Sequence, residues 1–279
     1  MGEITQGSIL CGIRSNKYPG KRCCGIIISA RCDVANCKIS KLYYLVALEA
    51  QDWFSSECGY GESYAGKTND QKRKFKEITG KYNLDFESLQ NFTVEDVETI
   101  IEAQAIPPKE KDLLTALYLD YRLFCCSAMD DDMRRNIIRT DRKFATNYLD
   151  KINKGEIVHY YYLPFRAYMD NDFTDDGASK GLIVDLQEIE MLKIDDAEKM
   201  QEMGIDYNYA RLSANEPQSE IERLNEHFWL ETEDDFVIVE HNIKSPWVEL
   251  LMQRFANTFT RIGVDGATRD DITKLVNSI

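Results

Sequence analysis

Cysteine and arginine side chains are concentrated in one stretch near the start of the chain, GKRCCGIIISARCDVANC, residues 20–37. Thiolates act as metal ligands and as nucleophiles, and a neighbouring cation favours the thiolate, as Arg31 would for Cys32. A thiol nucleophile also needs a base, yet His159 and His241 lie in or at the end of predicted strands, where a packed or surface imidazole is more common. The stretch therefore suggests metal binding or thiol chemistry, but it supplies neither a complete set of metal ligands nor a nucleophile with its base.

The candidate metal ligands are Cys24, Cys32, Cys37 and Cys58. Their spacers of seven, four and twenty residues differ from the close pairs of structural zinc sites. Free cysteines are more often small, buried hydrophobic residues. A zinc-stabilised structural module is therefore kept as an alternative, and apart from that zinc no cofactor is expected.

The candidate binding residues are Arg14, Lys21, Arg31, Arg254 and Arg261. The first three belong to a locally basic segment, residues 1–50, in which seven Lys and Arg stand against three acids. The last two are seven residues apart, so they project from one side of a predicted helix. Two interpretations stay open: a basic face for a phosphate-bearing or acidic partner, or a basic element docked on the protein's own acidic body.

Composition limits the class of protein. The 279 residues are 43% hydrophobic and 29% charged, as in an ordinary globular protein, and the net charge of −14 disfavours nonspecific attraction to nucleic acid or anionic membrane. No apolar run approaches the roughly 18 residues of a membrane span, and the N-terminus lacks the pattern of a secretory signal. We therefore expect a cytoplasmic protein with reduced cysteines and no membrane partner.

Hydrophobic periodicity and turn residues predict the elements of the fold. Strands are predicted at 5–13, within 20–37, and at 42–50, 157–165, 181–194, 208–213 and 235–243. Residues 51–70 are predicted to be a loop with at most a short helix. Helices are predicted at 71–82, from the Thr93 cap to Pro107, from Pro108 to 126, and at 131–153, 195–203, 219–230, 245–262 and 268–279.

This order of elements predicts an α+β fold. Residues 1–50 and 155–194 would form a small barrel-like β domain, interrupted by a helical insertion at 51–154. Residues 195–279 would form an α/β extension ending in helices. The apolar face that runs from Trp247 to Ile262 predicts that the C-terminal amphipathic helix packs on the β domain.

The first fifty residues resemble the opening of the MazF/PemK-type ribonuclease toxins, in the stretches QGSI (6–9), KRCCGIIIS (21–29) and LVALEA (45–50). The resemblance implies an SH3-like β-barrel and a metal-independent endoribonuclease that takes RNA through the basic N-terminal element. It places Arg22 near the family's catalytic arginine, whereas the family's catalytic threonine corresponds to Ala50.

In that ribonuclease alternative, the residues that would act together are Arg22, Ser29 and Asp33. Whether the protein is an enzyme stays open, because the chain has no phosphate loop, no HExxH and no GxSxG motif.

Both ends of the chain also resemble a group of bacterial proteins, in IISARCD (27–33) and SPWVELLMQRFANTFTRIGV (245–264). Such proteins look like accessory parts of bacterial stress or phage-defence loci, similar in setting to toxin-antitoxin systems. Since no catalytic set is complete, the leading hypothesis is a regulatory or partner-binding component of such a system, with another protein as its partner.

Overall fold

The computed structural model describes residues 4–36, 39–125, 129–169, 181–202, 204–206 and 226–260. The fold is mixed α+β. The chain divides into two compact units: a sheet unit of Met1–Ile13, Arg22–Ala47 and Lys151–Ile279, and a helical unit of Arg14–Lys21 and Leu48–Asp150.

Seven described strands form one sheet in the order β4-β5-β3-β2-β1-β7-β6. The strands are β1 Ser8–Ile13, β2 Cys23–Ile27, β3 Lys41–Glu49, β4 Tyr160–Leu163, β5 Leu182–Lys193, β6 Ile205–Asp206 and β7 Phe236–Asn242. The pairs β1–β2, β2–β3, β1–β7, β4–β5 and β6–β7 are antiparallel.

The sheet is open, with β4 and β6 at its edges, so within the described residues it does not close into the predicted barrel. The reason is that the outer sides of the N-terminal three-stranded meander are already occupied. β1 pairs with β7 on its far side, and β3 lies beside β5. The meander is therefore extended in both directions instead of curling on itself.

The sheet unit has an apolar core between the sheet and the helix Trp247–Thr260. Ile9, Ile26 and Leu45 come from neighbouring strands and are fully or almost fully buried, as expected for β-branched and aliphatic residues on one face of a sheet. Val248 and Leu251 contribute from that helix. β1 also carries a bulge at Gly12, whose φ of +92° favours glycine.

The helices within the described part of the sheet unit are α1 Arg31–Ala35, α9 Ile194–Glu202 and α10 Trp247–Thr260, with a 3-10 turn at Phe165–Ala167. The helical unit contains α2 Ala50–Ser55, α3 Glu57–Thr79, α4 Phe86–Leu89, α5 Val94–Glu102, α6 Pro108–Phe124, α7 Asp131–Thr140 and α8 Arg142–Lys154, with a 3-10 turn at Gly80–Tyr82. The last four residues of α8 belong to the sheet unit. None of the helices in the described ranges is long and apolar enough to cross a membrane.

Two helix predictions are confirmed by their capping signals. Thr93 and Asp96 form a capping box at the start of α5, and α6 begins at Pro108. Two further predictions, one of a loop and one of a single long helix, are wrong. Residues 51–70 are helical in α2 and α3, and the helix predicted at 131–153 is two helices that meet at Asp141.

Some predicted elements lie outside the described residues. They are the strand at 208–213, residues 219–225 of the next predicted helix, and the helix at 268–279.

Candidate functional site

Arg22, a predicted catalytic residue, immediately precedes β2 and is 41% exposed. Its guanidinium donates to the Phe236 carbonyl at 2.8 Å and lies 5.6 Å from the centroid of the Phe236 ring. Asp235 lies 4.0 Å away. Arg22 is therefore held by β7 and the residue before it, with part of its side chain in solvent.

Ser29 and Asp33 lie beyond the other end of β2. Ser29 is buried, and its hydroxyl accepts a hydrogen bond from the Tyr43 backbone N–H at 2.8 Å. Asp33 is half-buried in α1, where the Cys32 thiol donates to it at 3.7 Å. Because seven residues of extended chain span roughly 20 Å, β2 does not bring Arg22 and Ser29 together. Their joint catalytic role stays a prediction.

The predicted metal ligands are spread over different elements. Cys24 is half-buried on β2 and Cys32 is exposed on α1, both in the sheet unit, whereas Cys58 is half-buried on α3 in the helical unit. Cys37 lies outside the described residues. Among the residues that the structure describes, no group of three His, Cys, Asp or Glu side chains is placed to hold a metal ion.

Cys24 instead faces another cysteine. Cys11 lies opposite it in the β1–β2 pair, with 3.6 Å between the two sulfur atoms. The neighbouring Cys24 thiol, burial and the nearby Glu240 together raise the pKa of Cys11, so this thiol stays protonated at neutral pH. The thiols of Cys11 and Cys24 are close because the β1–β2 register places the two residues opposite each other.

The predicted binding cations have different surroundings. Arg31 is exposed on α1, and Arg14 is half-buried between β1 and β2. Arg254 is half-buried on α10 and donates to the Asn153 carbonyl at 3.4 Å. Arg261 lies outside the described residues.

Lys21 has the clearest role, which is structural. Its side chain is only 5% exposed, and its ammonium donates to the Asp131 carboxylate and, at 2.8 Å, to the Ser55 hydroxyl. Arg134 is also buried and donates to the same carboxylate at 2.7 Å and to the Ser55 carbonyl at 2.5 Å. Lys21 therefore joins the residues before β2 to α2 and α7 within the helical unit.

The helical unit carries a groove with arginines on its rim, which we call the arginine groove. Arg135, Ile138 and Arg139 face it from α7, and Arg142, Ala145, Thr146 and Leu149 face it from α8, with Gln51 of α2 beside them. From Arg135 to Leu149 these positions keep the steps of three and four residues that are typical of one helical face. Three guanidinium groups therefore share the groove with the apolar side chains of Ile138, Ala145 and Leu149, which we call its apolar floor.

The ion pairs of the groove are unevenly distributed. Arg135 lies 3.1 Å from Asp52 and 3.7 Å from Asp132. Arg139 and Arg142 are exposed, and neither forms an ion pair in the part of the chain that the structure describes. Two of the three guanidiniums are thus available to an anion.

The same unit exposes an apolar stripe on α6. Leu114, Leu117, Tyr118 and Tyr121 of this helix are buried in the core of the unit. On the opposite face, Leu113, Leu119 and Leu123 are 48%, 53% and 44% exposed, with the exposed Ala116 between them. We call these four residues the outer face of α6.

Comparison of the chain with protein-family models, curated proteins and solved structures gave no match. The candidate sites therefore rest on the chain's own geometry.

Sequence reasoning missed both surfaces of the helical unit, although each has a signal in the sequence. Residues 134–143, RRNIIRTDRK, contain five cations and one acid in a chain that is acidic as a whole. The leucines of α6 occur at both helical faces, which is more than one buried stripe requires.

Proposed function

We propose that the protein is a regulatory, partner-binding component, and that its protein partner docks on the outer face of α6. The observation that carries this proposal is the exposure of Leu113, Leu119 and Leu123 by about half each on the face opposite the buried one. Single exposed apolar residues are normal on protein surfaces, but an aligned stripe on one helix is typical of an interaction site.

The spacing of the stripe favours a helical partner. The steps of three, three and four residues from Leu113 to Leu123 match the anchors that one amphipathic helix offers another. Burial of such aliphatic side chains contributes roughly 25 cal/mol per Å² of apolar surface, which supports specific association.

The charge around the outer face of α6 also limits the kind of partner that can bind there. The exposed Asp112 and the half-buried Asp120 lie beside the stripe, and the whole chain has a net charge of −14. Complementary charge speeds encounter and suppresses wrong pairings. The fitting occupant is therefore an amphipathic helix of another protein, with basic residues flanking its apolar face.

Both ends of the chain resemble a group of bacterial proteins that look like accessory parts of stress or phage-defence loci, and this resemblance supports such a system as the setting. In that setting the protein would act by engaging or releasing its partner.

The test is site-specific photocrosslinking in the protein's own cells. A crosslinking residue at position 119 should give one discrete adduct with another protein, and the further change Leu123→Glu should abolish it. The matched control is position 133, because Met133 is 54% exposed in the same unit but lies on α7. Equal adducts at both positions, an adduct only with a second copy of the chain, or no adduct would each contradict the proposal.

A second proposal, an endoribonuclease of the MazF/PemK type, is favoured by the partial exposure of Arg22 beside the antiparallel β1–β2–β3 meander. It takes these three strands to be counterparts of an SH3-like barrel. Purified protein should then cleave single-stranded RNA, and Arg22→Ala should abolish cleavage while Arg73→Ala, at an exposed arginine of α3 outside the basic N-terminal segment, should not. RNA that stays intact would reject this proposal.

A further inference from the structure

The arginine groove has the size of a site for a small molecule. Its cavity volume is about 330 Å³, at the lower end of the range for ligand pockets. All of its lining residues come from α2, α7 and α8 of the helical unit.

The positive charge of the groove favours an anionic ligand. Arg139 and Arg142 keep exposed guanidiniums without carboxylate partners among the described residues, although the chain contains 48 Asp and Glu against 34 Lys and Arg. Arg142 is also the first residue of α8, where the helix dipole adds positive potential. A polyanion such as RNA would be repelled at long range by the net charge, whereas a small anion would be repelled less.

The side chains that line the groove indicate which class of anion it binds. A guanidinium matches the oxygens of a phosphate with two parallel hydrogen bonds, and it also stacks on flat rings. Ile138, Ala145 and Leu149 give the groove an apolar floor on which a planar ring can lie. Gln51 adds an amide that can donate to and accept from the edge of such a ring.

From these features we propose that the arginine groove binds a small phosphate monoester with a flat heteroaromatic body, of the size of a nucleoside monophosphate. Arg139 and Arg142 bind the phosphate, and the apolar floor contacts one face of the ring. This site is distinct from the outer face of α6, and its ligand does not depend on a protein partner.

The experiment is isothermal titration calorimetry of the full chain with AMP, GMP, CMP and UMP, and with adenosine and inorganic phosphate as separate arms. At least one nucleotide should bind, with adenosine and inorganic phosphate each about 10-fold weaker or more, because each lacks one half of the contacts. The double variant Arg139→Gln, Arg142→Gln should lose about 10- to 100-fold in affinity for each charged hydrogen bond removed.

Arg73→Gln is the matched control, since Arg73 is an exposed arginine of α3 that pairs with Glu77 at 3.1 Å and Asp70 at 3.4 Å. It should bind as the unaltered chain does. The substituted arginines of the groove are exposed, so unchanged thermal unfolding will show that the double variant folds. The proposal is overturned if no nucleotide binds at millimolar concentration, or if the double variant binds as tightly as the control. It is also overturned if inorganic phosphate or adenosine binds as tightly as the nucleotides.

Discussion

Lys21 and Asp131 are 110 residues apart in sequence, and the ammonium of Lys21 donates directly to the Asp131 carboxylate. The Ser55 hydroxyl accepts from the same ammonium, so three segments of the helical unit meet at one buried cation. The stability of this unit should therefore depend on that cation.

Lys21→Met should lower the free energy of unfolding by about 1–3 kcal/mol, because it leaves the Asp131 carboxylate with one charged donor fewer. Urea unfolding followed by circular dichroism measures this loss. Lys74→Met is the control, since Lys74 is exposed on α3, and it should change stability by about 0.5 kcal/mol at most. Equal effects of the two changes would contradict the structural role of Lys21.

Asp131 should give the protein an acid-sensitive contribution to stability. Burial alone would raise the pKa of Asp131, but hydrogen bonds from Lys21 and Arg134 outweigh it and hold the pKa below its ordinary value. An acid with a lowered pKa stabilises the folded state fully above its unfolded pKa of about 4 and loses this effect as the pH falls through the folded pKa.

Asp131→Asn should therefore reduce the loss of stability between about pH 5 and pH 2. Asp132→Asn is the control, because its side chain is 88% exposed. Unfolding free energies measured across this pH range test the difference, and parallel curves for Asp131→Asn and Asp132→Asn would refute it.

Gly59 and Gly66 lie in the same helix, α3, and should respond in opposite directions to alanine. A Cβ at Gly59 would overlap the Trp53 carbonyl, so Gly59→Ala should destabilise by about 1–3 kcal/mol. Gly66 has open space around it, so Gly66→Ala should stabilise by about 0.5–1 kcal/mol through helix propensity. Thermal unfolding of both variants measures the two signs, and the same sign for both would contradict this packing.

Cys11 and Cys24 should form a disulfide under mild peroxide. The two thiols would lose two electrons and two protons to hydrogen peroxide, which becomes water, and a modest side-chain rotation would close 3.6 Å to the ~2.05 Å of the bond. The raised pKa of Cys11 predicts slow oxidation. Peptide mapping should find the Cys11–Cys24 link, and Cys24→Ser should prevent it. A preferred link from Cys11 to any other cysteine would contradict the strand register.

Local signals in the sequence predicted local structure well. The Thr93–Asp96 capping box and the start of α6 at Pro108 need only neighbouring residues, because their hydrogen bonds and backbone angles are set within one turn. The apolar run at the start of β5, Leu182 to Val184, was also recognisable as part of a strand.

Tertiary packing explains why residues 51–70 are helical although their sequence predicts a loop. Gly59 and Gly66 each disfavour a helix by about 1 kcal/mol, and they made residues 51–70 look like a loop. Tyr60 and Tyr64, four residues apart and fully buried, stabilise the helix through their stacked rings, with 4.5 Å between ring centroids. The local sequence does not show that these two tyrosines will be buried in the core of the helical unit.

The sites were harder to predict, because they depend on contacts between distant positions. Nothing near Lys21 in the sequence indicates Asp131 as its partner. The arginine groove depends on Gln51 of α2 lying beside α7 and α8, and no signal near these residues in the sequence indicates that contact.

The pairing of β1 with β7 has a consequence for synthesis on the ribosome. The Ser8 hydroxyl donates to the Asn242 side chain across 234 residues of sequence. At ~5–20 residues per second, the N-terminal strand is made roughly 10 to 50 s before the strand that covers its outer side. Contacts of such high sequence separation also fold slowly. In the nascent chain β1 can therefore pair early with β2, but its outer side stays without β7 until the end of synthesis, while the intervening helices can begin to fold from local contacts.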